Sequence, residues 1–216
     1  MQFLYFQFFK FMFPILKWMS NMYIPIGSKQ HIFRRYYDIE SFLIPGDVIL
    51  SKSDGHLTNL TNLGYWKHAM IYVGGKKPSI VEAVGEGVVR KTLVEVLSSK
   101  DRIAVLRPTK RLIQNEEQMK KYISFVESQI GKPYDYSFDL FSRKSFESFY
   151  CSELVYDGII AGNENCNFNL RKTFGISTVT PMDLYKMSFS QKFLKIIEIS
   201  RKEEYFYNEE NDMSQK

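Results

Sequence analysis

Tyr150-Cys151-Ser152-Glu153-Leu154-Val155-Tyr156 sets a thiol where small and polar residues give way to an apolar, helix-spaced run. Leu154, Val155, Gly158, Ile159 and Ala161 recur at helical spacing, and Gly162-Asn163 supplies a stop. Cys151 is therefore expected at or near a helix N-terminus, where unpaired backbone N–H groups and the helix dipole favour a thiolate. A thiolate needs a base, and the chain has three histidines. One of them opens a strand-like run, His68-Ala69-Met70-Ile71-Tyr72-Val73-Gly74, and a second run, Ile80-Val81-Glu82-Ala83-Val84, carries a carboxylate in its middle. Taken singly, a cysteine is most often buried core, and a histidine at a strand start is most often structural. A glutamate on an apolar strand is rarer and asks for an edge, a partner or a function. Cys, His and carboxylate on three regular elements are the raw material of a cysteine hydrolase.

Five strings in order extend this reading. Pro45-Gly46-Asp47-Val48-Ile49-Leu50, Lys67-His68-Ala69-Met70-Ile71-Tyr72-Val73-Gly74 and Val81-Glu82-Ala83 resemble the first half of the circularly permuted NlpC-type papain-like hydrolases, the YiiX-like group. Gly131-Lys132-Pro133-Tyr134-Asp135 and Tyr150-Cys151-Ser152-Glu153-Leu154-Val155 resemble the second half. In ordinary papain-like enzymes the Cys precedes the His, whereas here His68 precedes Cys151, the permuted order. The resemblance covers roughly residues 40 to 190. It implies Cys151 as nucleophile, His68 as general base and Glu82 as the group that orients the imidazole. It also places Tyr134 near the active site, as an oxyanion donor or pocket wall; Tyr150, next to Cys151 in the chain, is a further candidate for the oxyanion site or substrate pocket. The physical logic agrees: an imidazole near neutrality shuttles the proton, and the Cys151 backbone N–H at a helix start can donate to an oxyanion.

The remaining elements frame these motifs. Asp47 to Ser51 reads as a strand, and Lys52 to Tyr65 as a long loop that ends just before His68. Arg102 to Arg107 alternates and closes at Pro108, another strand. Glu116 to Ile130 shows helical spacing, with Gly131 and Pro133 ending it. Thr180-Pro181-Met182-Asp183 has an N-cap, a proline at the first helical position and an acid three residues after the cap. Phe193 to Ile199 reads as a last strand. The fold class expected is α+β: a permuted papain-like fold, with a small antiparallel sheet packed against helices and the nucleophile at a helix N-terminus.

Composition sets the outer bounds. A chain of 216 residues suffices for one well-packed domain with appendages. The net charge of +5 is spread along the chain, and no reader motif, zinc spacing or glycine-rich phosphate loop occurs. Nucleic acid, a metal and any other cofactor are therefore not expected, and the oligomeric state is not readable. Cys151 and Cys166 make no disulfide framework; Cys166 lies in a polar loop and reads as incidental.

Three segments are expected: an apolar aromatic segment at 1–26, the catalytic domain at 27–200 and a polar tail at 201–216. Phe3 to Met19 is the most apolar stretch of the chain. Lys10, Pro14 and Lys17 argue against a membrane span. The expectation is a helix lying on a membrane surface through residues 3–19, or docked on its own domain. Location then follows as peripheral to a membrane, or otherwise cytoplasmic. The chemistry implied is cleavage of an amide through a thioester, on a cell-wall peptide, an N-acylated amino acid or another small or acylated substrate. Two alternatives stand beside it. One is a lipid acyltransferase or phospholipase, since the lecithin retinol acyltransferase group shares the His-before-Cys order. That group typically shows an Asn-Cys-Glu-His type string where this chain has Tyr150-Cys151-Ser152-Glu153. The other is a non-catalytic membrane-associated adaptor.

Overall fold

The fold is seen in a computed structural model that describes residues 36–52, 64–138, 140, 147–166, 168, 170–173 and 176–199. The expected N-terminal helix, the C-terminal tail and most of the 52–65 loop lie outside the described residues.

Elements follow in the order α1 (Tyr36–Phe42), β1 (Val48–Lys52), β2 (His68–Gly74), β3 (Ser79–Val84), β4 (Gly87–Thr92), α2 (Leu93–Leu97), β5 (Arg102–Pro108), α3 (Glu116–Ser128), α4 (Cys151–Gly162), β6 (Arg171–Thr173), β7 (Ile176–Thr178), α5 (Pro181–Lys186) and β8 (Phe193–Ile199). Among the described residues six strands form one antiparallel sheet in the order β4-β3-β2-β1-β5-β8, and β6 and β7 make a separate hairpin. The class is the α+β expected, with a larger sheet. β4 joins it as an edge strand that the sequence reading did not include.

Period-two alternation sorts the strand residues onto two faces. Val48, Leu50, Ala69, Ile71, Val81, Ala83, Ala104 and Leu106 pack in one core with Tyr122 and Val126 of α3 and Leu154, Val155 and Ile159 of α4. Ile49, Met70, Tyr72, Ile80, Ile103 and Val105 pack in a second core with Ile39 of α1 and Leu93, Val96 and Leu97 of α2. Burial on both faces is why the inner strands read as unbroken apolar runs rather than alternating ones.

The helices form where their caps allow. Asn115 accepts the Gln118 N–H at 3.0 Å to start α3, and Thr180 and Asp183 close a reciprocal capping box on α5. α3 ends two residues before the expected Ile130. Gln129 and Ile130 donate to Val126 and Glu127, so the last turn tightens into i→i−3 bonds. Gly131 at φ +92° then turns the chain out.

Two glycines hold the site's scaffold close. Gly87 has φ +117°, and a Cβ there would lie 2.4 Å from the Lys132 carbonyl oxygen. Val88 donates to that oxygen and Gly131 donates to Val88, so the 131–135 segment is stapled to β4. Gly158 lets α4 lie on α3: a Cβ there would meet the Tyr122 ring at 2.6 Å. Tyr122 is fully buried and has no room to give. Gly158→Val is therefore expected to destabilise the fold by about 1–3 kcal/mol through overpacking. Urea unfolding with an unchanged m-value would show this; an unaltered midpoint would refute the tight α3–α4 contact.

Candidate active site

Cys151 is the first residue of α4, and its N-cap, Tyr150, is extended at φ −96°, ψ 167°. The Glu153 carboxylate reaches back to accept the Tyr150 N–H at 2.9 Å. Tyr150 has no short side-chain oxygen to serve the first turn, and the Cys151 sulfur accepts the Ser152 N–H, together with the Ala69 N–H from β2. The start of α4 is also pinned from the far side of the chain. Ser152 Oγ donates to the Val179 carbonyl at 2.8 Å, and the Val179 N–H donates to the Tyr150 hydroxyl at 3.2 Å.

His68 opens β2, and Glu82 lies within β3. The register that pairs Ile71 with Val81 makes them diagonal neighbours on one face. His68 Nε2 meets Glu82 Oε2 at 2.7 Å. His68 is also hydrogen-bonded to the Cys151 thiol. With Nε2 on the carboxylate, Nδ1 is the ring nitrogen left for the sulfur. The three residues singled out from the sequence thus form one hydrogen-bonded chain. The thiol and carboxylate are buried, at 5% and 2% exposed, while the imidazole keeps 20% of its side chain accessible.

Burial opposes charge on all three groups and is the largest influence on each, yet their mutual contacts outweigh it. For Glu82 the opposing causes are the His68 hydrogen bond and charge, then the Lys100 charge and the Lys91 hydrogen bond; together they hold its carboxyl well below the usual range. For His68, burial is overcome by hydrogen bonds to Cys151 and Glu82 and by their charges, which lift the imidazole from 6.5 to about 9. For Cys151, the same imidazole and two backbone N–H groups bring the thiol below its ordinary 9.0. The arrangement favours a thiolate facing an imidazolium at neutral pH.

Two tyrosines, Tyr134 and Tyr150, lie near enough to the sulfur to feel its charge. The Phe149 N–H donates to the Pro133 carbonyl and the Asp135 N–H to the Phe149 carbonyl, which holds Tyr134 beside the start of α4. Burial, then the neighbouring Cys151 charge, push the Tyr134 hydroxyl well above 10, so it keeps its proton. Its ring meets Tyr136 at 4.7 Å and Phe138 at 6.3 Å, and Phe138 meets Tyr150 at 5.4 Å. The Tyr150 hydroxyl is taken by the Val179 N–H and Thr178, so its ring is what it presents to Phe138. Cys166 is a free thiol packed against the core, and burial raises its pKa.

Two residues at the site escaped the sequence reading. Phe138 is 40% exposed and sits at φ +55°, a backbone region that bulky side chains rarely adopt. Lys91 of β4 contacts Glu82 Oε1 at 2.8 Å. The Gly85-Glu86 connection between β3 and β4 was the available signal for Lys91, because a two-residue hairpin loop fixes which residues lie opposite Glu82.

A helix-borne thiol against a strand-borne imidazole, in His-then-Cys order on an α+β frame, defines a permuted papain-like cysteine hydrolase. Residues 43–207 match the family described as permuted papain-like amidase enzyme, YaeF/YiiX, C92 family, and the chain belongs to that family. It is accordingly a cysteine-type hydrolase of the amidase or peptidase kind. Among solved structures the chain resembles one described as metalloprotein yiiX from Escherichia coli O157:H7, at 21% identity and TM-score 0.59, over 72% of this chain and 97% of that one. This likeness supports the fold. No curated protein sequence matches the chain. Among the described residues no three His, Cys, Asp or Glu side chains are grouped to hold a metal ion, and no helix is long and apolar enough to cross a membrane.

The pKa directions fix the sign of a test. A lowered Cys151 pKa and a raised His68 pKa both favour the thiolate–imidazolium form toward neutral pH. Alkylation of Cys151 by iodoacetamide should remain fast at pH 6–7, where an ordinary thiol reacts slowly, and should slow in His68→Ala. Cys166, shifted the other way, should label only at higher pH. An ordinary thiol profile for Cys151 would contradict the pairing.

Proposed function

We propose that Cys151, His68 and Glu82 are the catalytic nucleophile, general acid–base and orienting carboxylate of an amidohydrolase that works through a thioester. The observation that carries this reading is the hydrogen-bonded chain from sulfur through imidazole to carboxylate at the start of α4. The thiolate attacks the carbonyl carbon, and the charge moves onto the carbonyl oxygen. The Cys151 backbone N–H and the Tyr134 hydroxyl are the donors for that oxyanion. The imidazolium passes its proton to the leaving nitrogen, the C–N bond breaks, and an acyl thioester with a neutral His68 remains. Neutral His68 then takes a proton from water, hydroxide adds to the thioester carbonyl, and the thiolate departs beside a regenerated imidazolium.

Because the acid in the first half-reaction is the imidazolium, kcat/KM should fall as pH rises through about 9, where His68 loses its proton. It should also fall on the acid side as the thiolate is protonated. Cys151→Ala should abolish turnover while leaving thermal unfolding within about 1 kcal/mol of the parent. Activity surviving in Cys151→Ala would end this reading.

The substrate class we favour is an N-acylated amino acid with an apolar acyl group. Support comes from Phe138, an exposed aromatic residue that meets Tyr134 edge-on and Tyr150 at a tilt, the two tyrosines near the sulfur. An apolar chain laid on this wall would gain roughly 25 cal/mol per Å² of surface removed from water. Across N-acyl substrates of increasing chain length, Phe138→Ala should raise KM more for long chains than for short ones, with kcat little changed. Equal effects at every length, or turnover confined to cell-wall peptides, would point to the peptide substrates instead. The aromatic wall would also suit a lipid ester, and release of fatty acid from a phospholipid by the same thiol would favour the acyltransferase or phospholipase alternative.

A further inference from the structure

Glu82 uses both of its carboxylate oxygens. Oε2 meets His68 Nε2 at 2.7 Å, and Oε1 meets Lys91 Nζ at 2.8 Å. The two contacts come from opposite neighbours in the sheet, β2 on one side and β4 on the other. In the β3–β4 register Ile80 lies opposite Lys91 and Glu82 opposite Val89, so Lys91 and Glu82 are diagonal neighbours on one face. The carboxylate is 3% exposed on its side chain, whereas the Lys91 side chain is 43% exposed. Lys91 reaches it from the wall of an open cleft of about 420 Å³, which Lys76, Lys77, Arg90 and Glu95 also line.

We propose that Lys91 is a positioning residue for the reaction: it clamps the second oxygen of Glu82, so that the first stays in the plane and at the distance that hold His68 Nε2. This rests on the functional reading given above and adds a fourth member to its hydrogen-bonded chain, Lys91–Glu82–His68–Cys151. A carboxylate held at one oxygen only can turn about its terminal torsion, which is broad and two-fold. The imidazole would turn with it, and Nδ1 would lose its line to the sulfur. A buried carboxylate with one oxygen lacking a donor would also bear a desolvation cost that an exposed one does not.

The charges around the chain give the direction of a pH effect. Facing Glu82 are His68 from β2, Lys91 from β4 and Lys100 from the turn before β5, while Cys151 of α4 faces His68. Lys91 in turn faces Glu82 and Glu95. Lys91 acts on His68 through Glu82, whose carboxyl it helps to hold in the charged form. Against burial, the hydrogen bonds to Cys151 and Glu82 are what lift the His68 imidazole to about 9, so loosening the ring by removing Lys91 should lower that pKa.

The test is Lys91→Met and Lys91→Arg in the full-length chain, read by the pH profile of Cys151 alkylation and by kcat and KM on an N-acyl amino acid. Lys91→Met should move the transition at which His68 loses its proton, seen in the alkylation profile, to lower pH. It should lower kcat by roughly tenfold, part of the ~10²–10⁴ that a placed acid–base group contributes, with KM little changed. Lys91→Arg should restore both. A Lys91→Met protein with the parent's profile and kcat overturns the proposal. So does one whose losses follow lowered thermal stability and are not rescued by arginine. Failure of the functional reading itself has a separate signature, because His68→Ala would then leave Cys151 alkylation unaltered.

Discussion

The hydrogen bond between His68 Nε2 and Glu82 Oε2 is the contact on which the site depends. It exists because β2 and β3 pair antiparallel in a register that sets residue 68 diagonal to residue 82 on one face. A slip of one residue would send Glu82 to the opposite face of the sheet and leave the imidazole without a carboxylate. The register is held by burial. Ile71 and Val81 face α3 and α4, while Tyr72 and Ile80 face α1 and α2, and both sets are enclosed. Packing on two faces thus specifies an alignment that a sheet with one solvated face would specify less strictly.

The second half of the site is delivered by helix packing. α4 lies on α3 through Gly158, and its first turn is tied to Val179 through Ser152 and Tyr150. These ties, together with the Val88–Lys132 staple, bring a sulfur, an imidazole and Tyr134 from three separate parts of the chain to one place. Circular permutation changes the order in which the chain visits these elements. It leaves untouched the chemistry of a thiolate stabilised by an imidazolium and by backbone N–H groups.

Much of this was legible from residues. The stretch from Tyr150 to Tyr156 announces a helix with a thiol at its head, and α4 begins at Cys151. His68 opens its strand and Phe193–Ile199 is the last strand among the described residues, both with the bounds read from the sequence. What escaped has physical reasons. β4, Gly-Val-Val-Arg-Lys-Thr, is an edge strand whose second half faces solvent, so its apolar signal is weak beside those of β2 and β3. β6 and β7 have three residues each, too few for a period to show. Lys91 looks like one surface lysine among many until the hairpin register sets it diagonal to Glu82. Phe138 owes its place to a positive φ within an aromatic cluster, and no pattern in the neighbouring sequence encodes that.

The central claim is that sulfur and imidazole share one proton in favour of the imidazole. The most direct measurement is the ¹⁵N spectrum of the His68 ring at pH 7 in the selectively labelled protein, with Cys151→Ser for comparison. The account predicts that both ring nitrogens carry protons in the parent, as an imidazolium whose charge persists until about pH 9. It predicts that the ring becomes a neutral tautomer at lower pH once the thiolate is replaced. A neutral His68 at pH 7 in the parent, with a titration near the ordinary 6.5 that Cys151→Ser leaves unmoved, would contradict it.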